Sequence, residues 1–120
     1  MTKINLFRNV KDAITYAAGD IIFSQGDEGH EMFVVVEGEV EIVLDGVVVQ
    51  TLVDGEFFGE MSMIDKSPRS ATAVAKTNCR LAKVDEKRFS FLIQQTPFFA
   101  LQVMRGLADR LRSANANAHK

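Results

Sequence analysis

One stretch organises this 120-residue chain: Phe58-Gly59-Glu60-Met61-Ser62-Met63-Ile64-Asp65-Lys66-Ser67-Pro68-Arg69-Ser70-Ala71-Thr72. Gly59 lacks a Cβ and lets the backbone bend closely, and the residues after it can start a short helix whose first N–H groups have no partner within the helix. Such a helix start attracts anions. Pro68 fixes the chain before Arg69, whose guanidinium group can contact two oxygens of one phosphate. The stretch therefore predicts a phosphate-binding loop that leads into a strand.

The same residues indicate the chemical class of the ligand. The backbone N–H groups of Ser70 and Ala71 can complete the phosphate site, and one cation with several backbone donors suits a singly charged phosphodiester. Glu60 would repel a phosphate unless it accepts a hydrogen bond from a sugar hydroxyl, as an acidic residue does from the ribose 2′-OH in dinucleotide sites. The combination indicates a phosphate next to a ribose.

Short apolar segments separated by glycine and aspartate turns lie on both sides of this stretch. Asp45-Gly46, between Leu44 and Val47, is the strongest hairpin signal, because a type I′ turn needs a positive φ at both central residues. Seven or eight short strands with such turns predict an antiparallel barrel or jelly roll. The predicted strands are Ile14–Ala17, Ile21–Phe23, Met32–Val36, Val40–Leu44, Val47–Leu52, Ser70–Lys76 and Arg80–Val84.

Helices are predicted at both ends of the chain. A short one falls within residues 1–12, and another follows Asp85 as N-cap and stops before Pro97. The last helix begins at Thr96-Pro97, runs for about four turns, and gives way to a frayed tail at 113–118. Its apolar stripe is predicted to pack on the rest of the domain. The stripe consists of Phe98, Leu101, Met104, Leu107, Ala108 and Leu111.

The composition limits the class of protein. The 14 basic and 16 acidic residues give a formal net charge of −2, without the basic surplus expected of a nucleic-acid-binding protein. With no apolar run of about 20 residues, no transmembrane segment is predicted. Cys79 is the single cysteine, and without a recognisable N-terminal signal we expect a cytoplasmic location. His30 and His119 are far apart in sequence and predict no metal site.

Phe58-Gly59-Glu60, Ser62 and Pro68–Thr72, with the spacing between them, resemble the phosphate-binding cassette of the cyclic nucleotide-binding domain family. The resemblance implies one domain over residues 1–120. It would comprise an N-terminal helix (1–12), an eight-stranded β-roll (13–85) that holds the cassette (58–72), and C-terminal helices with a tail (86–120). By the same resemblance, Glu60 would hold the ribose 2′-OH and Arg69 the cyclic phosphate.

The resemblance also supplies a wider set of candidate contacts. Arg110 lies where some members carry an arginine that pairs with the cassette glutamate, and Asn115 lies where others contact the base. A hydroxyl at Ser70 can contact guanine. Ile42 and Val49 match positions that flank the base or ribose. The ligand-binding residues implied by the cassette are Phe58, Gly59, Glu60, Met61, Ser62, Arg69, Ser70 and Ala71.

The leading hypothesis is a non-enzymatic receptor, without a cofactor, for a cyclic mononucleotide, with cyclic AMP (cAMP) favoured over cyclic GMP (cGMP). Ligand would shift the last helix and so regulate an unidentified effector protein or subunit, and this helix could also pair two copies of the chain. The alternatives are a docking module that ignores nucleotides and a jelly-roll metalloenzyme. The absence of a histidine cluster disfavours the metalloenzyme.

Overall fold

The computed structural model describes residues 3–118, with side chains over 3–115. The chain forms a β-roll of two four-stranded antiparallel sheets with flanking helices, which confirms the predicted fold class. The strands are β1 (Ile14–Tyr16), β2 (Ile21–Phe23), β3 (Glu31–Glu37), β4 (Val40–Leu44), β5 (Val47–Leu52), β6 (Phe57–Phe58), β7 (Thr72–Ala75) and β8 (Cys79–Asp85).

The two sheets have the strand orders β1-β8-β3-β6 and β2-β7-β4-β5. β3 is covered on both faces. Its Phe33 and Val35 belong to the core between the sheets, whereas Met32 and Val34 pack with residues of the helices. Burial on two sides explains why this segment is a continuous apolar run in the sequence and does not alternate.

The described residues form three helices beside the roll: α1 (Glu60–Asp65), α2 (Glu86–Gln95) and α3 (Pro97–Ala118). The predicted N-cap of α2 is confirmed, because the Asp85 carboxylate accepts a hydrogen bond of 2.8 Å from the backbone N–H of Arg88. Within residues 3–118, none of the helices has the length and apolar character needed to span a membrane.

The N-terminal segment departs from the predicted helix. Residues 3–12 are not helical, and a turn at 6–9 is closed by the N–H of Val10, which donates to the carbonyl of Phe7 at 3.1 Å. Starting a helix fixes several residues for a single hydrogen bond, and so short a segment gains little in return. Burial of Ile4 and Phe7 against the helices holds the segment in place without helical structure.

α3 differs from its predicted form in length and in orientation. It is helical through Ala118, so the predicted frayed tail at 113–118 belongs to the helix. Phe99 and Val103 face the core, and Gly106 approaches the Phe57 ring so closely that a Cβ would lie 2.4 Å from it. Most of the predicted packing stripe lies on the other side of the helix. The exposed members are Phe98, Leu101, Met104 and Leu111.

Candidate functional site

The cassette begins with a strand that the sequence analysis missed. β6 is only two residues long, Phe57 and Phe58, and pairs with Val34 and Phe33 of β3. Gly59 follows with a φ of 77°, a conformation that favours glycine, and serves as the N-cap of α1 without any side-chain capping bond. The backbone N–H groups at the start of α1 therefore lack a side-chain partner.

Arg69 is buried, with an exposed fraction of 4%, and its guanidinium group is held by backbone carbonyls. Nη1 donates to the carbonyl of Gly59 and Nη2 to that of Glu31, each at 2.8 Å. The Phe23 ring centroid lies 4.1 Å from Cζ, an arrangement that favours a cation. Among the described residues, Nε has no hydrogen-bond partner although it is buried. A buried donor without a partner is costly, and Arg69 lines the adjoining cavity, which can admit an acceptor.

The Arg69 guanidinium group remains positively charged although it is buried. Desolvation lowers the pKa of the guanidinium group, while the nearby carboxylates of Glu31, Asp27 and Glu60 act to raise it. The ordinary pKa of arginine is so high that the group stays protonated at neutral pH. The site therefore presents a fixed positive charge.

Glu60 is also buried, and its carboxylate connects the cassette to α3. Oε1 accepts a hydrogen bond of 2.7 Å from Nη1 of Arg110, whose Nη2 donates to the carbonyl of Phe57. The Arg110 guanidinium also lies 4.3 Å from the Phe57 ring centroid. The arginine–glutamate pair that the resemblance implied is thus formed in the structure. A new contact to the Glu60 carboxylate would therefore alter its bond to Arg110 on α3.

A single cavity brings these groups together. It is lined by every residue that the cassette resemblance implied, together with Ile42, Arg110 and two residues that the sequence analysis did not select, Phe23 and Gln50. The lining residues are Phe23, Ile42, Gln50, Phe58, Gly59, Glu60, Met61, Ser62, Arg69, Ser70, Ala71 and Arg110.

Val49 does not line this cavity, and a β-bulge explains why. A regular two-residue turn at 45–46 would place Val49 opposite Ile42, but the register shifts so that Ile42 faces Gln50 and Val43 faces Val48. The extra residue on the bulged strand is Val49, which is 56% exposed. Gln50 takes the position in the cavity wall, and no sequence signal marked the bulge.

Asn115 is also away from the cavity. It lies on the exposed side of α3, five residues beyond Arg110. Because successive helical residues are separated by about 100°, five residues place the Asn115 side chain roughly 140° around the helix from Arg110. In this arrangement of α3, Arg110 alone of the two reaches the cavity.

Gly29, which lies just before β3, and Glu31, the first residue of β3, complete the surroundings of Arg69. The sequence analysis predicted a role for neither residue. Gly29 is buried, and a Cβ built there would lie 2.1 Å from Nε of Arg69. Glu31 supplies a carbonyl to the guanidinium. Both are about 40 positions from Arg69 in the chain, so their proximity depends on the roll, which local sequence does not reveal.

Cys79 has an ordinary structural role. Cys79 is 2% exposed, and burial raises the pKa of its thiol, so the protonated, poorly nucleophilic form is favoured. Within the described part of the chain, no three His, Cys, Asp or Glu side chains are grouped as metal ligands. His30 is exposed, and His119 falls outside the described residues.

Residues 13–96 match the cyclic nucleotide-binding domain family. The chain therefore belongs to this family, as the cassette residues led us to expect. The cAMP-dependent protein kinase regulatory subunit of Schizosaccharomyces pombe is 41% identical over 81 residues, which cover 67% of this chain and 20% of that protein. The chain thus matches about a fifth of the length of this relative.

Solved structures show the same architecture. The Thermus thermophilus catabolite activator protein superposes with a TM-score of 0.81 at 34% identity, over 90% of this chain and 53% of that one. The cAMP-bound form of PfPKA-R gives a TM-score of 0.72 at 27% identity, over 89% of this chain and 37% of that one. Both are similar in fold and carry further segments beyond the shared region.

Proposed function

We propose that this domain is a non-enzymatic receptor for a 3′,5′-cyclic mononucleotide and that it prefers cAMP to cGMP. The observation that carries the proposal is the Arg69 guanidinium group, which is buried and held by two carbonyls in a residue that lines a cavity together with the whole cassette. Such a group binds an anion with little loss of conformational entropy, because it is already in place.

The cavity offers a separate contact to each part of a cyclic nucleotide: the phosphate, the ribose and the base. Arg69 and the backbone N–H groups of the cassette would bind the singly charged cyclic phosphate. The Glu60 carboxylate uses Oε1 for Arg110, which leaves Oε2 to accept from a ribose 2′-OH. Ile42 and Met61 offer apolar contact to the base. Base contact of this kind discriminates weakly between purines, so a measurable affinity for cGMP is expected beside the stronger one for cAMP.

A ligand series tests this proposal. We expect cAMP to raise the melting temperature most, cGMP less, and 5′-AMP least. A ligand that binds only the native state stabilises it by about 2.7 kcal/mol at a hundred times its dissociation constant. If no nucleotide shifts the melting temperature, the domain would instead be a docking module that has the fold of the family but does not bind its ligand.

The ribose contact gives a separate prediction. Glu60→Gln should weaken cAMP binding about tenfold to 150-fold, the loss typical of a hydrogen bond to a charged group. Binding of 2′-deoxy-cAMP should change much less, because this ligand has no 2′-OH for the carboxylate to accept from. Calorimetric titration of the wild-type protein and Glu60→Gln with cAMP and 2′-deoxy-cAMP measures the loss of affinity for each ligand. Equal losses for the two ligands would remove Glu60 from the ribose contact.

We further propose that ligand acts on α3 through Glu60. The Glu60–Arg110 pair and the close packing of Gly106 on Phe57 hold α3 in the present arrangement. A ribose hydroxyl that competes for the Glu60 carboxylate would favour a different position of this helix. Ligand would then shift the populations of two arrangements by its difference in affinity for them, and an effector protein would detect the change.

The exposed face of α3 suggests that its partner is a second copy of the chain. Leu101, Met104, Ala108 and Leu111 are spaced by three, four and three residues, the heptad spacing of a coiled-coil seam. Three of the four are large apolar side chains with exposed fractions between 38% and 63%. A surface stripe of this kind is stabilised when an identical helix covers it.

We expect sedimentation equilibrium to give a mass of two chains, and the double variant Met104→Glu/Leu111→Glu to give the 13.3 kDa of one chain. Two carboxylates in the seam would be buried beside their symmetry copies, which is strongly unfavourable. Ser113→Glu adds a charge to the same helix outside the seam and should leave the dimer intact. A monomeric wild-type protein would assign the stripe to a different partner.

A further inference from the structure

Glu31 contacts Arg69 with two different groups. Its backbone carbonyl accepts the 2.8 Å hydrogen bond from Nη2, and its carboxylate Oε1 lies 3.9 Å from the same nitrogen. Oε1 also lies 3.9 Å from Nζ of Lys83 on β8, whose side chain is half exposed. The Glu31 side chain is itself 27% exposed, and its carboxylate lies beside the guanidinium group that would bind a phosphate.

The carboxylate is not needed to hold Arg69 in position. Two backbone carbonyls accept hydrogen bonds from Nη1 and Nη2, and the Phe23 ring covers the guanidinium. At 3.9 Å, Oε1 is beyond hydrogen-bond distance and contributes charge only. Replacing this side chain would therefore change the electrostatic potential at the site and leave the geometry of Arg69 in place.

We infer that the Glu31 carboxylate is a specificity determinant that selects singly charged cyclic phosphodiesters against doubly charged phosphomonoesters. The inference rests on the proposed function, since it concerns which phosphates the Arg69 site accepts. A phosphate bound in the cavity would be separated from this carboxylate by the guanidinium group of Arg69, a distance over which two negative charges still repel each other. The repulsion grows in proportion to the charge of the phosphate, so a phosphomonoester with two charges is penalised about twice as much as a phosphodiester with one.

The geometry also limits the size of the effect. Lys83 neutralises part of the carboxylate charge, and the partial exposure of Glu31 allows water to screen the rest. The repulsion of a single charge under these conditions corresponds to about threefold to tenfold in affinity. The same repulsion applied to two charges corresponds to about tenfold to a hundredfold.

The experiment is a calorimetric titration of the wild-type protein and Glu31→Gln with cAMP and 5′-AMP at low ionic strength. Glu31→Gln should bind cAMP about threefold to tenfold more tightly and 5′-AMP about tenfold to a hundredfold more tightly, so that discrimination narrows. Glu28→Gln is the matched control, because it removes an exposed carboxylate three positions away in the loop before β3 and should leave the ratio of the two affinities unchanged. A purely structural role would lower both affinities and would not separate ligands by charge.

A second variant should increase the effect of the Glu31 charge instead of removing it. Lys83→Gln removes the cation that shares the carboxylate, and it should widen the discrimination against 5′-AMP. An unchanged ratio of affinities in both Glu31→Gln and Lys83→Gln would overturn the inference while the proposed function stands, provided that the wild-type protein binds cAMP. Failure of the wild-type protein to bind any cyclic nucleotide would overturn the proposed function and the inference together.

Discussion

Replacement of Arg69 by alanine is expected to weaken cyclic nucleotide binding by roughly 2–5 kcal/mol, the usual loss when one member of a buried charged pair is truncated. This corresponds to about thirtyfold at least. The cassette would lose its buried cation and with it an N–H that has no partner among the described residues. The phosphate would then enter a site with the carboxylates of Glu31 and Glu60 nearby and no opposing charge from Arg69.

Arg112→Ala is the matched control for this variant. Arg112 lies on α3 with a side chain that is 76% exposed, and its ion pair joins it to Asp109 on the same helix. Its replacement should leave the affinity unchanged within about twofold, because surface ion pairs contribute little. Circular dichroism would confirm that both variants fold. Full retention of cAMP affinity in Arg69→Ala would exclude Arg69 from the site.

Local signals were sufficient for the parts of the fold that depend on turns. Strand β5 begins and ends where the sequence predicted, at Val47 and Leu52, because the Asp45-Gly46 turn fixes where the chain reverses. Both turn residues have the positive φ that a type I′ turn requires, 51° and 81°. The glycine and the proline of the cassette likewise marked the position of the loop that now lines the cavity.

Long-range packing decided the features that the sequence did not reveal. α3 has apolar residues on two faces, and the exposed one is more regular in sequence than the core face, which includes Gly106 and Arg110. Periodicity therefore selected the wrong face. The bulge at Val49 and the position of Glu31 beside Arg69 depend on how strands from distant parts of the chain pair. Neither feature has a local signature.

Gly29→Ala is expected to reduce binding nearly as much as loss of Arg69 itself, by roughly 2–4 kcal/mol. An alanine Cβ would lie 2.1 Å from Nε and 2.4 Å from Cζ of Arg69, distances that no structure tolerates. Gly29 lacks a positive φ, so the backbone can accept alanine without strain. The guanidinium group, at the end of a flexible side chain, would be displaced and would lose its hydrogen bonds to Gly59 and Glu31.

Glu28→Ala places an alanine at the neighbouring, exposed position by shortening the side chain, and it should bind cAMP at least as well as the wild-type protein. The decisive comparison is the double variant Gly29→Ala/Arg69→Ala. If Gly29 matters only because its missing side chain makes room for the guanidinium, the double variant should bind no more weakly than Arg69→Ala alone. Additive losses in calorimetric titrations would show that Gly29 contributes through a different contact. Non-additivity would establish that a glycine 40 positions away determines where the phosphate-binding arginine lies.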